Sequence, residues 1–296
     1  MAMRVLITGA SGLLGRPLVK AFEGEDVLGL ALSRAAGPLE RVDLTDGDAL
    51  GRCVEAFGPD VIIHSAAIRR PDICQNDPGL TRRVNVDATR QIAELARRQG
   101  AWVLYFSTDY VFDGTAAPYD VGDEPNPLNI YGQSKLDGER ALLELLGHSA
   151  VLRVPILYGQ VEDSDESPVT IIAEQVRSKQ PGPIDAWAMR YPTHVEDVAL
   201  VCRSLVRAWQ DGNEDVRRGG IFHFSGAEPM TKADMARVIG QVLGVDASHL
   251  QPDANRPPGA PRPKNCHLDC SRIDRLFQPR RTPFRRAIAE ILAARA

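Results

Sequence analysis

Thr8-Gly9-Ala10-Ser11-Gly12-Leu13-Leu14-Gly15 is the stretch on which the fold turns. The apolar run Val5–Thr8 leads straight into it, and the helix-like segment Arg16–Phe22 leaves it. Each glycine has a physical task in that setting. Gly9 permits a tight turn out of a strand, Gly12 lets backbone come close to a pyrophosphate, and Gly15 lets the helix pack near the sheet. A helix opening there offers free N–H groups to phosphate. Three glycines alone mark ordinary turns; the strand before and the helix after make them a dinucleotide-binding fingerprint. Gly9, Ser11, Gly12, Leu13, Leu14 and Gly15 are therefore expected to line the cofactor.

Four more short apolar runs follow: Val27–Leu32, Val61–His64, Trp102–Ser107 and Val151–Leu157. Between them lie helix-like segments near Asp48–Phe57, Gly79–Gln99 and Tyr131–Leu146. Short runs that are nearly all apolar are what parallel strands covered on both faces look like. The alternation predicts an α/β protein, a Rossmann-type doubly wound parallel sheet, over residues 1–159. Thr45 with Asp48 is expected to cap the second helix. After Gly159 the rhythm breaks. Gln160–Ser167 is acidic and reads as a loop, Pro181-Gly182-Pro183 as a turn or linker, and Gln251–Lys264 as irregular and proline-rich. A strand at Ile221–Phe224 and helices near Val195–Trp209 and Lys232–Leu243 are expected, the latter capped by Thr231. Thr282-Pro283 opens a last helix. Residues 160–296 are thus expected to form mainly a smaller C-terminal substrate-binding cap, with some segments returning to the core.

Cofactor choice is read at the end of the second strand, where NAD-preferring sites carry Asp or Glu for the ribose 2′-hydroxyl. No acid stands between Leu28 and Pro38. Ser33 and Arg34 stand there instead, and an arginine suits a 2′-phosphate. NADP(H) is therefore expected over NAD(H).

Tyr131 and Lys135 open the fourth helix-like segment. An i,i+4 spacing puts them on one helical face. A phenol ordinarily titrates near about 10, and a neighbouring ammonium is expected to lower that. Such a phenol can protonate a carbonyl oxygen as hydride arrives at the carbon. Thr108, in Ser107-Thr108-Asp109-Tyr110, ends the preceding strand and can hydrogen-bond that oxygen. The spacing is uninformative alone; its place after the fourth strand of a dinucleotide fold gives it meaning.

Composition sets outer bounds. The 296 residues carry a formal net charge of -4, which argues against a nucleic-acid binder. Five scattered cysteines do not form a disulfide framework. Cys266 and Cys270 lack metal-site spacing, so no metal is expected. Neither a leader nor a membrane-length apolar run is evident, and a cytoplasmic setting is expected.

With these features in place, the chain resembles the extended short-chain dehydrogenases/reductases. More narrowly it resembles the dTDP-4-dehydrorhamnose reductases and their relatives, the regulatory β subunits of methionine adenosyltransferase. The glycine loop, Ser107-Thr-Asp-Tyr-Val-Phe-Asp-Gly114, Pro127-Leu-Asn-Ile-Tyr131 and Lys135-Leu-Asp-Gly-Glu139 carry the resemblance to both. Arg69-Arg-Pro-Asp72, Tyr191-Pro-Thr-His-Val195 and Arg281-Thr-Pro-Phe-Arg285, among others, are closer to the regulatory subunits. That group carries a longer C-terminal tail. This chain stops at Ala296 in an alanine-rich stretch, a departure that puts in doubt any partner contact made by such a tail.

The resemblance implies catalytic roles for Thr108, Tyr131 and Lys135. It implies Asp43 and Leu44 near adenine, and Ala66 and Ala67 along the pyrophosphate–ribose path. Asn85 would support the active-site helix, and backbone from Arg153 to Gly159, including Pro155 and Ile156, would approach the nicotinamide. Arg69, Asp109, Tyr110, Trp187, Arg190 and Tyr191 are the substrate-side candidates for a nucleotide sugar. Three activities follow as expectations. The first is an NADPH-dependent reductase of a 4-keto-deoxy nucleotide sugar. The second is a regulatory partner of a methionine adenosyltransferase catalytic subunit, binding NADP without turnover. The third, an epimerase or dehydratase, is disfavoured by the rhamnose-reductase-like strings.

Overall fold

Why the first half winds as it does is visible in its strands. The structure, a computed structural model, describes residues 2–294; the last two residues of the alanine-rich end lie outside it. The strands are β1 (Arg4–Thr8), β2 (Asp26–Ala31), β3 (Glu40–Arg41), β4 (Val61–His64), β5 (Trp102–Thr108) and β6 (Ala150–Val154). Side chains alternate across the sheet. Val5, Ile7, Val61 and Ile63 pack on one face, and Leu6 and Ile62 on the other. Both faces must therefore be covered, and helices do so.

The intervening helices are α1 (Gly15–Ala21), α2 (Gly47–Phe57), α3 (Pro71–Asn76), α4 (Pro78–Arg82), α5 (Ala88–Gln99) and α6 (Ile130–Leu145). Beyond them come β7 (Leu157–Tyr158), α7 (Pro168–Ser178), β8 (Gly182–Asp185), β9 (Thr193–His194), α8 (Val195–Gln210), α9 (Glu214–Arg217) and β10 (Gly220–His223). Then follow α10 (Lys232–Leu243), β11 (Leu250–Asp253), α11 (Ser271–Phe277) and α12 (Phe284–Ala293). The sheet runs β10-β6-β5-β4-β1-β2-β3, all pairs parallel. Its order reverses beside β1, which is where such sheets bind ligands.

Two late segments complete this sheet. Gly220–His223 pairs with β6 at the edge, and α8 lays Val198, Cys202 and Leu205 on the same face as Leu18 of α1. A separate apolar cluster, including Ile172, Met235, Ile239 and Ile288, fastens α7, α10 and α12 to one another. Among the described residues, no helix is long and apolar enough to cross a membrane.

Several expectations need correction. The second helix is capped by Asp46, whose carboxylate accepts from Ala49 N at 3.0 Å, while Thr45 bonds Asp43 instead. Gly79–Gln99 is not one helix: a π-helical turn, Arg83–Asp87, interrupts it. The strand read to Leu157 ends at Val154, and Leu157–Tyr158 pairs elsewhere, with Thr193–His194. Pro181–Pro183 is not simply a turn, because Gly182–Asp185 pairs with Leu250–Asp253, which also orders the start of the proline-rich stretch. Pro283 stands just before the last helix as its cap residue. Short helices such as α3 and α11 carry too few turns to show a period.

Candidate active site

The glycine loop leaves β1 at Thr8, whose hydroxyl lies 2.7 Å from His64 Nδ1, while His64 Nε2 is 3.0 Å from Thr89 Oγ1. This buried bridge ties the ends of β1 and β4 beneath the loop. Gly9 has φ +69°, and a Cβ there would lie 2.9 Å from Ala66 Cα. The loop thus rests against Ala66, the first of the two alanines expected along the cofactor path. A Cβ on Gly15 would come within 2.1 Å of Gly9 O and 2.7 Å of Ala10 Cα, so this glycine lets the start of α1 lie against the backbone leaving β1. A Cβ on Gly12 would meet Gly9 O at 3.1 Å, and among the described residues nothing else within 4 Å. That open side is the space a phosphate needs, and the loop fits the diphosphate of a dinucleotide.

Ser33 and Arg34 follow β2 and are exposed. Asp43 accepts from Thr45 N at 2.9 Å and Thr45 Oγ1 at 2.8 Å, beside buried Leu44. Ala67 continues from Ala66 beyond β4. Pro155 and Ile156 bridge β6 and β7, and Ile156 O accepts from Thr193 N at 2.9 Å.

Thr108 ends β5 and Tyr131 begins α6, whose cap Asn129 accepts from Gly132 N at 2.8 Å. Tyr131 meets Tyr110 edge to face, ring centroids 6.0 Å apart. Asn85, in the π-helical turn, bonds Ile68 N at 2.8 Å, Ile68 O at 2.9 Å and Ser134 Oγ at 2.9 Å. It therefore ties the chain after β4 to α6. Single π-turns inside α-helices are frequent at functional sites.

Lys135 is 3% exposed, and its Nζ lies 4.0 Å from the Tyr105 ring centroid. Burial pulls its pKa down to about 7, opposed by Glu139. Tyr131 differs from expectation. Burial raises its phenol above the ordinary value, with the Thr108 hydroxyl pulling back, and the Lys135 ammonium faces Tyr105. Asp109 is 5% exposed, and burial pushes its carboxyl up to about 7 against the pull of Arg190.

Of the substrate-side candidates, Arg190 joins this group, its guanidinium 5.7 Å from the Tyr110 ring. It is buried and also bonds the carbonyls of Met189 and Pro263, each at 3.1 Å. Tyr191 instead stacks on His267, centroids 4.1 Å apart. Trp187 lies under Arg256, 6.0 Å away. Arg69 donates to the carbonyl of Asp165 at 3.4 Å.

That last contact belongs to a feature the sequence reading missed. Gln160–Ser167 is no free loop: Ser164–Glu166 forms a 3-10 turn, and Glu166 is 3% exposed. Glu166 holds Arg16 at 2.7 Å and also bonds Arg34, while Asp165 takes Arg70. The strap thus joins α1, the chain after β2 and the start of α3. Only its acidity beside several distant arginines hinted at this.

Sheets wound this way, with a glycine loop where strand order reverses and a Tyr-x-x-x-Lys pair opening the helix after β5, are those of the extended short-chain dehydrogenases/reductases, and this chain is one. It belongs to the RmlD substrate binding domain family, whose model matches residues 3–296. Methionine adenosyltransferase 2 subunit beta of Bos taurus is 47% identical, over 98% of this chain and 87% of that protein. A protein of Haloferax volcanii, described as probable low-salt glycan biosynthesis reductase Agl14, is 30% identical over 92% of this chain and 91% of its own. Among solved structures, dTDP-4-dehydrorhamnose reductase of Bacillus anthracis in complex with NADP superposes with TM-score 0.84 at 25% identity, covering 99% of each chain.

Proposed function

We propose that the chain binds NADP(H) and reduces a carbonyl of the 4-keto-deoxy nucleotide-sugar class. The observation that supports this reading is the Thr108 hydroxyl acting on the Tyr131 phenol at the start of α6, with buried Lys135 one turn further along the same helix. Bound NADPH would supply the hydride. The Tyr131 phenol, protonated at neutral pH, donates its proton to the carbonyl oxygen as that oxygen becomes an alcohol. Thr108 hydrogen-bonds the same oxygen and orients it. Lys135 supplies positive charge behind the phenol, with Asn85 and Ser134 fixing the helix that carries both. Gly9 to Gly15 cradle the diphosphate, Ser33 and Arg34 face the 2′-position, and Asp43, Leu44, Ala66, Ala67, Pro155 and Ile156 line the rest of the groove. Arg190, Tyr110 and Asp109 face the sugar nucleotide, under a cap drawn mainly from residues 160–296.

The test is NADPH oxidation with dTDP-4-dehydrorhamnose. Turnover that Tyr131→Phe lowers by about 10²–10⁴-fold supports the reading. Tight NADPH binding without turnover speaks against it.

A second reading has its own support. Identity of 47% to a methionine adenosyltransferase β subunit favours a regulatory role, in which NADP(H) is held without turnover. Mixing the chain with a methionine adenosyltransferase catalytic subunit then gives a complex on gel filtration and altered synthetase kinetics; independent elution counts against this role. A cytoplasmic setting suits either reading and the five unpaired cysteines.

A further inference from the structure

β2 lacks the acid that NAD-type sites carry at its end, yet the fold returns a carboxylate to that place from far along the chain. Glu166, 132 residues beyond Arg34, bonds its guanidinium. The same carboxylate holds Arg16 at 2.7 Å and 3.2 Å and accepts from Glu162 N at 3.1 Å. Glu162 stands 3.5 Å from Arg34 and 3.6 Å from Arg16. Two carboxylates therefore face two guanidiniums, and the arginines offer little net charge to an arriving dianion.

Resting on the NADP(H) reading above, we propose that Glu166 tempers the cofactor preference of this site: it competes with a 2′-phosphate for Arg34 and so narrows the advantage of NADP(H) over NAD(H). A 2′-phosphate must displace this carboxylate or share an arginine with it. The 2′-hydroxyl of NAD(H) carries no charge and meets no such opposition; a carboxylate can even accept its hydrogen bond. Glu166 is buried, and its partners hold its pKa down to about 2 despite the opposing effect of burial, so it is ionised throughout the physiological range. Glu162, with 57% of its side chain exposed, is the weaker member of the pair.

Dissociation constants of NADP+ and NAD+ test this on the full chain, for wild type, Glu166→Gln and Glu162→Gln. Glu166→Gln is expected to tighten NADP+ by about tenfold and leave NAD+ within about twofold. Glu162→Gln should act in the same direction, less strongly. An unchanged NADP+/NAD+ ratio in Glu166→Gln, or a shift toward NAD+, overturns the proposal while leaving the dinucleotide reading standing. Wild type binding neither nucleotide removes both. Hydrogen exchange without nucleotide provides a second readout. Glu166→Gln should speed exchange across residues 160–167 and leave the sheet unchanged. No change in the strap means that Glu166 does not fasten it, and the proposal falls.

Discussion

Burial raises the Tyr131 phenol above its ordinary value, so it carries its proton at neutral pH, as a proton donor must before hydride arrives. Two neighbours, Asp109 and Lys135, change protonation near neutrality, at about 7 each. The pH profile of kcat/KM should therefore bend near pH 7, and Asp109→Asn should remove one of the ionisations; a profile identical to wild type excludes Asp109 as its source. At the adenosine end, Arg34→Asp should weaken NADP+ by about tenfold or more and NAD+ far less. Equal losses measured by titration would show that Arg34 does not read the 2′-position. Tyr131, Lys135, Thr108 and the glycines could be picked out as candidates because each lies in a short local pattern; that Lys135 faces Tyr105 could not. Glu166 was not, since its partners Arg16 and Arg34 are 150 and 132 residues away and no periodicity links them.

Helices and turns show where local chemistry suffices and where contact decides. Thr231 caps α10 as expected, in a reciprocal box with Asp234 at 3.1 Å and 2.9 Å. Thr231→Ala should cost about 1 kcal/mol in denaturant unfolding. By contrast, α6 depends on what it touches. A Cβ on Gly138 would lie 2.4 Å from the Tyr105 hydroxyl and 2.9 Å from Asn85 O. Gly138→Ala should therefore lower stability by about 1–3 kcal/mol and shift Lys135, reducing turnover as well. An unchanged melting temperature would mean that the helix can retreat freely. The π-helical turn was invisible in sequence for the same reason: its Asn85 bonds Ile68 and Ser134, partners 17 and 49 residues away. The acidic strap adds a pH signature. Glu166 titrates below its ordinary value in the folded chain, so its contribution is present above the usual carboxylate range and fades as pH falls toward about 2. The stability gap between wild type and Glu166→Gln should shrink between pH 5 and pH 2; a constant gap would assign it to packing.

At the scale of the molecule, β5, β6, β10 and α6 meet around one buried ion pair. Arg153 donates to Glu139 at 2.7 Å and 2.9 Å, Ser107 donates to the same carboxylate, and His223 lies 3.4 Å from Arg153. Breaking such a pair from one side leaves an uncompensated charge. Arg153→Met is expected to cost about 3–5 kcal/mol, and Arg153→Met with Glu139→Leu less than that alone. A double replacement no better than the single would show that packing, not charge, holds this junction. The doubly wound sheet was readable from its apolar runs, but its seventh strand, Gly220–His223, declares only that it is a strand; its place beside Ala150–Val154 is fixed by partners that sequence does not name.

That late arrival matters while the protein is being made. A ribosome adds about 5–20 residues per second, and β10 follows β6 by about seventy residues, so several seconds separate the two strands. For that interval β6 is an unpaired edge, and the apolar face awaiting α8 stands open. Newly synthesised chains should therefore depend on holding factors until the second half emerges, and a message truncated after the sixth strand should yield aggregate rather than a free nucleotide-binding fragment.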